Sequence, residues 1–249
     1  MMKRVAVFGL LLTLPLLANA AATRTLTTNI PASGIKSLAI TVGVGELRVT
    51  PSTDATVHVR VTLQPKSSGF LWFFHWQSTA TSEDIQAAQI AQKRDGDQLN
   101  LSLTTPGKLN DSDVKQTWDV QIPVRLALDI AMKVGQVTVS GITGGVHTNL
   151  NVGEIDLDTP AGPLSATVNV GQIGATSASK QLGSIELSST IGEAALFVNG
   201  KHMREGGRHS GLGRRIHLPG SGPDSMKLSV NVGEVDLRVE SSAEAKNKS

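Results

Sequence analysis

A four-residue unit recurs six times along this chain, and its spacing restricts the fold more than any other feature. The copies are Val44-Gly45-Glu46-Leu47, Val134-Gly135-Gln136-Val137, Val152-Gly153-Glu154-Ile155, Val170-Gly171-Gln172-Ile173, Ile191-Gly192-Glu193-Ala194 and Val232-Gly233-Glu234-Val235. Gly135, Gly153 and Gly171 are eighteen residues apart, and weaker half-steps fall nine residues on, at Gly144-Gly145-Val146 and Gly162-Pro163-Leu164. Leu182-Gly183-Ser184-Ile185-Glu186-Leu187 continues the series after a short insertion. Within a unit Val152, Ile155 and Leu157 are set against Glu154, Asp156 and Asp158, the period of two that marks a strand with one buried face. A glycine at the same place in every unit suits a bend with positive φ or a close backbone approach. Nine residues hold a short strand and a turn, with no room for a crossover helix.

These observations point to an all-β chain whose rear half is a parallel β-solenoid of about eighteen residues per coil. One unit alone cannot bury its Val/Ile/Leu row, whereas stacked units share one interior, and Val134, Val152 and Val170 are expected to line up in it, rung over rung. Asn151, Asn169 and Asn231 occupy equivalent places and fit an asparagine ladder. An antiparallel sandwich is the alternative, since short strands punctuated by glycine occur there too.

The part before Leu126 is rich in strands of another kind. Alternation is clear at Val57, Val59, Val61 and Leu63, at Leu99, Leu101 and Leu103, and at Trp118, Val120 and Ile122. Asp95-Gly96-Asp97 reads as a hairpin turn. Glu83 to Lys93 is the one stretch that reads as helix. The expected organisation is a signal peptide over 1–20, a β-rich part with an aromatic insertion over 21–125, solenoid repeats continuous with it over 126–240, and a disordered polar tail over 241–249.

Lys3 and Arg4, the apolar run from Val5 to Leu17 and Ala18-Asn19-Ala20 have the three-part form of a secretory signal. The run is too short to span roughly 30 Å of hydrocarbon. Cleavage near Ala20 implies an exported chain, periplasmic or extracellular. The 23 basic residues fall to 21 when Lys3 and Arg4 leave, against 21 acidic ones, so no global field attracts nucleic acid. The absence of Cys excludes disulfides, thiolate zinc sites, iron–sulfur clusters and a cysteine nucleophile. No cofactor and no metal site is expected.

The Gly-x-Ile/Val-x-Leu/Val units follow Ile122-Pro123-Val124-Arg125-Leu126 and close with Val230-Asn231-Val232-Gly233-Glu234-Val235-Asp236-Leu237. With the export signal ahead of them, they resemble the bacterial putative-adhesin group of exported β-solenoid domains, a family of unknown function. The resemblance covers about residues 36 to 240 and is strongest from 122 to 240. It implies an exported, repeat-built, surface-type protein and supplies no catalytic residues.

Two insertions are candidate contact sites. Phe70, Trp72, Phe73, Phe74 and Trp76 are five of the seven aromatics that remain once Phe8 is removed, and they do not alternate as a strand with one wet face would. Such a cluster anchors a partner, contacts a membrane interface, or caps the open end of the stack. The stretch 199–222 carries Arg204, Arg208, Arg214 and Arg215 among glycines, with His202, His209 and His217 spaced as in no compact metal site. It reads as a solvated loop, with contact to an anionic glycan as the functional alternative. The outward acids Glu154, Asp156, Asp158, Glu234 and Asp236 raise a carboxylate-pair hydrolase as an alternative, although alternation alone accounts for them. No nucleophile elbow or calcium-roll motif is present.

The sequence therefore reads as an exported, non-enzymatic binding protein whose partner is an envelope component, a glycan or another protein. The alternatives are a polysaccharide-active hydrolase or lyase and a periplasmic envelope-stress or structural accessory protein.

Overall fold

A computed structural model describes residues 23–65, 82–105, 114–203, 207–210 and 212–240. The described chain is almost entirely strand. Its first part contains β1 (Arg24–Pro31), β2 (Ser37–Pro51), β3 (Thr56–Pro65), one short helix α1 (Ser82–Ala87), β4 (Gln89–Asp95), β5 (Gln98–Thr104) and β6 (Val114–Ile122). The repeat part contains β7 (Ala127–Ser140), β8 (Val146–Thr159), β9 (Leu164–Ser177), β10 (Leu182–Ile191) and β11 (Ala194–Val198). After β12 (Lys201–His202), β13 (Gly207–Ser210) and β14 (Gly213–Ser221), the last described element is the long β15 (Asp224–Val239).

The strands form one large mixed sheet that does not close, in the order β1-β3-β6-β2-β7-β8-β9-β15-β10-β14-β13. Its centre, β2-β7-β8-β9-β15-β10, is parallel, and β1-β3-β6 and β14-β13 flank it in antiparallel pairs. Val134, Val152, Val170 and Val232 are register partners in turn, as are Gly135, Gly153, Gly171 and Gly233. Gly45 joins the same row through β2. Within the repeat part, chain order and spatial order agree from β7 to β9 and part company there, because β15 lies between β9 and β10. The expected succession of neighbouring units is broken there by the last strand of the chain.

Each long strand is two legs joined at its glycine. In β8 the buried residues are Val146, Thr148 and Leu150 before Gly153, and Ile155, Leu157 and Thr159 after it. The inward parity therefore changes across the bend, and one core collects side chains from both legs. Leu38, Leu128, Val146, Leu164, Met226 and Ile185 form one inner row, and Leu47, Val137, Ile155, Ile173, Val235 and Ala194 another. Each fully buried Val, Leu or Ile contributes about 1.5–3 kcal/mol relative to exposure.

Inside this core Thr148 is fully buried between Ile130 and Ala166, and its hydroxyl has no hydrogen-bond partner among the described residues. An unpaired buried hydroxyl costs about 1–3 kcal/mol. Thr148→Val keeps the shape and removes that cost, so the urea midpoint should rise by the equivalent of about 1 kcal/mol with an unchanged slope. A lower midpoint would mean that the hydroxyl is satisfied.

The front strands match the alternation in the sequence: Val57, Val59, Val61, Leu63, Leu99, Leu101, Leu103, Trp118, Val120 and Ile122 are all buried. Asp95 pairs with Gln98 across the expected hairpin turn, with Gly96 at φ 61°. The helix expected over Glu83–Lys93 is cut short. Only Ser82–Ala87 is helical, and Gln89–Asp95 is strand, because β5 offers it seven paired residues. A six-residue helix is marginal without such tertiary anchors, here the fully buried Ile85 with Ala88 beside it.

Candidate interaction surface

The change of parity at the bend decides what the outer surface presents. Leu150 and Ile155 both face the core, so Asn151, Val152, Gly153 and Glu154 all face out. The expectation that Val134, Val152 and Val170 share the dry interior is therefore corrected in part. They do align, yet Val152 is 39% exposed, Val170 43%, Val232 43% and Ile191 46%. The bend makes an aliphatic ridge across the rungs on the outside of the corner.

Two polar rows flank that ridge. On one side Asn169 Nδ2 donates to Asn151 Oδ1 at 3.2 Å and Asn231 Nδ2 donates to Asn169 Oδ1 at 2.8 Å, the ladder expected from the spacing. On the other side the row runs Glu46, Gln136, Glu154, Gln172, Glu234 in spatial order. From Glu46 to Glu234 acid and amide alternate, which keeps carboxylates off adjacent rungs about 4.8 Å apart over that span; beyond it Glu193 stands beside Glu234. Lys115 Nζ lies 2.9 Å from Glu46 Oε1 at the end of this row, an exposed pair of small energetic weight. Farther along the second leg, Gln136 Nε2 donates to Asp156 Oδ2 at 3.2 Å.

The described residues of the stretch 199–222 are largely strand and not the loop expected from its composition. β12 pairs with β11, β13 with β14, and β14 with β10. Arg215 lies opposite Ser188 and is exposed, whereas Arg214, opposite Ser189, is half-buried. Adjacent strand residues alternate faces, so these two guanidinium groups diverge instead of forming one anion clamp. Arg208 pairs with Arg215 in backbone register, and Arg204 lies outside the described residues. Phe70, Trp72, Phe73, Phe74 and Trp76 lie outside them too, as does the expected signal segment.

A serine, an aspartate and a histidine do meet at the turn between β2 and β3. Ser52 Oγ donates to Asp54 Oδ1 at 2.7 Å, Thr56 N–H donates to the same oxygen at 3.0 Å, and His58 Nε2 is also 3.0 Å from it. These donors, the Ser52 hydroxyl foremost and then the His58 ring, hold the Asp54 carboxyl below the usual carboxylate range. The hydroxyl is directed at the acid and not at the imidazole, whose Nδ1 is engaged 2.8 Å from Asn29 Oδ1. The cluster is a turn clasp and lacks the base–nucleophile contact that acyl transfer requires. Among the described residues no group of three His, Asp or Glu side chains is placed to hold a metal, and no helix is long and apolar enough to cross a membrane.

No family model matches the sequence, and a search of curated proteins finds no match. Solved structures do resemble it. A putative adhesin from Bacteroides fragilis is 14% identical over 87% of this chain and 97% of its own, with a TM-score of 0.29. A putative lipid binding protein from Parabacteroides distasonis is 10% identical over 88% of this chain and 96% of its own, with a TM-score of 0.26. A putative cell adhesion protein from Clostridium sporogenes covers 87% of this chain with 99% of its own, at 11% identity and a TM-score of 0.55, and with that protein the chain shares its fold.

Proposed function

We propose that this chain is an exported, adhesin-like binding protein without enzymatic activity, whose parallel rungs form a solenoid of eighteen-residue coils and whose outer surface engages an extended ligand. The observation that carries the reading is the register itself. From β2 through β15 each outward position has a counterpart on the next rung, and at the corner the valine row and the Asn151–Asn169–Asn231 row offer a polymer the same class of contact repeatedly. Residues 21–240 act as one unit in this reading, because β2 is itself a rung beside β7. The fold shared with the Clostridium sporogenes protein agrees with a binding role. The signal-like first twenty residues support export to the periplasm or beyond, to an envelope component, a glycan or another protein.

The hydrolase alternative gains no specific observation. The row from Glu46 to Glu234 alternates acid with amide, and the Asp156 carboxylate is engaged by Gln136. To test the reading, the chain from residue 21 onward is incubated with a panel of polysaccharides and isolated envelope fractions, and both retention and released product are measured. Retention without product is expected. Product formation that disappears in Glu154→Gln with Asp156→Asn would overturn the non-enzymatic assignment.

A further inference from the structure

The outer face of the first legs carries a trough that crosses the rungs at the start of each strand, with a volume of about 640 Å³. Its origin lies in residue size. Ser37, Ala127, Gly145, Pro163 and Ser225, contributed by successive strands or the turns leading into them, form its floor. None has a long side chain. Gly145 sits at φ 97°, and a Cβ there would lie 3.1 Å from the Pro163 ring, so the floor is filled to van der Waals contact by the least bulky residues.

Two residues along each rung, on the same face, Asp129, His147, Ser165 and Lys227 pair in register and form the wall. Gln98, opposite Ser37, closes one end. The trough crosses six strands, β5, β2, β7, β8, β9 and β15, or five spacings of about 4.8 Å, roughly 24 Å in all. Its long axis runs across the strands, so a guest lies over the sheet and gains no main-chain pairing from an edge.

We infer that this trough binds a neutral polysaccharide chain laid across the rungs, an assignment that rests on reading the protein as a binder of extended ligands. Three features identify the guest. The floor offers carbon-rich, flat surface from Ala127, Gly145 and Pro163, which suits the C–H faces of sugar rings. Polar groups line both parts: the Asp129 carboxylate and the Ser165 hydroxyl on the wall, and the Ser37 and Ser225 hydroxyls on the floor, have no hydrogen-bond partner among the described residues, so they are available to ligand hydroxyls. Charge is sparse: the lining holds one carboxylate, Asp129, at one end of the wall and one ammonium, Lys227, at the other, and Lys227 Nζ already lies 3.8 Å from Glu186 Oε2. Neither a polyanion nor a polycation meets a run of opposite charge. A single carboxylate in the lining also fits binding without cleavage, for which two are needed.

The test uses the chain from residue 21 onward and neutral linear oligosaccharides of rising length, drawn from several linkage types, with binding measured calorimetrically. For at least one linkage the affinity should rise with length and level off when the guest spans the trough. Ala127→Trp fills the floor and should weaken that binding at least about tenfold. Asp129→Ala should weaken it with no change in melting temperature, which separates lost contact from lost fold. Thr176→Trp, on the outer face of the second leg, should leave it unchanged. Binding that ignores ligand length, or that survives both Ala127→Trp and Asp129→Ala, would overturn the trough assignment. A preference for dextran sulfate or for an unstructured peptide would overturn the neutral-glycan assignment while leaving the protein a binder. Failure of every polymer and envelope fraction to bind would remove the reading on which it rests.

Discussion

Gly153→Ala should leave the chain unfolded or destabilised by about 4 kcal/mol or more. The corner glycines Gly45, Gly135, Gly153, Gly171, Gly192 and Gly233 all have φ between 131° and 147°, a region closed to residues with a Cβ. A Cβ on Gly153 would stand 1.8 Å from the carbonyl oxygen of Gly135 and 2.9 Å from its carbonyl carbon. Strain of that backbone conformation costs about 1–3 kcal/mol by itself. The clash is with backbone already committed to the neighbouring rung, so relief means spreading two rungs and exposing inner residues from both legs. Gly96→Ala is the control: φ is 61° and nothing lies within 4 Å of the added carbon, so the cost should be about 1 kcal/mol. Denaturant unfolding of both variants decides the matter. If Gly153→Ala costs no more than Gly96→Ala, the stacked-corner geometry is wrong.

The second large effect should come from Trp118→Ala, at about 3–5 kcal/mol. Trp118 is fully buried in β6, between Leu47 of β2 and Val61 of β3, where the parallel rungs meet the antiparallel flank. Its indole Nε1–H donates to Gln116 Oε1 at 2.9 Å, and Gln116 is itself fully buried. Removing the ring opens a cavity and takes a donor from a buried amide. Trp118→Phe separates the two costs, because it keeps most of the ring volume and loses only the donor, worth about 1–3 kcal/mol. A loss that large is a sizeable part of the roughly 5–15 kcal/mol typical of whole domains. An Ala variant within about 0.5 kcal/mol of the parent would show that the indole is not part of the junction.

What the sequence made legible follows from which forces are local. Alternation reports a half-buried strand residue by residue, so β3, β5, β6 and both legs of β8 were readable; the eighteen-residue spacing placed Asn151 with Asn169, and the shared Asn-Val-Gly unit placed Asn231 in the same ladder. The corner was only half readable. A repeated glycine announced a bend, but the direction of Val152 depends on the count of residues between Leu150 and Ile155, and period-two reading assigned it to the core. Helix was expected at Gln89–Lys93 because alanine-rich polar sequence is locally permissive, and the deciding partner, β5, comes later in the chain. The same non-locality hid β14: Gly213–Ser221 has a loop's composition, and its pairing with β10 depends on a neighbour more than twenty residues earlier. The trough escaped notice because its floor is assembled from Ser37, Ala127, Pro163 and Ser225, small residues unremarkable alone and adjacent only after the rungs are in register.

The placement of β15 has a consequence for how the molecule is made. Synthesis delivers β9 and β10 well before residues 224–239, and the two strands carry matching glycine corners that equip them to pair directly with each other. The native arrangement has β15 between them, so any direct pairing of β9 with β10 formed before residues 224–239 emerge has to give way. Assembly thus cannot proceed as simple accretion from the amino terminus, and a nascent chain stopped short of Asp224 presents two unmatched edges at the middle of its sheet.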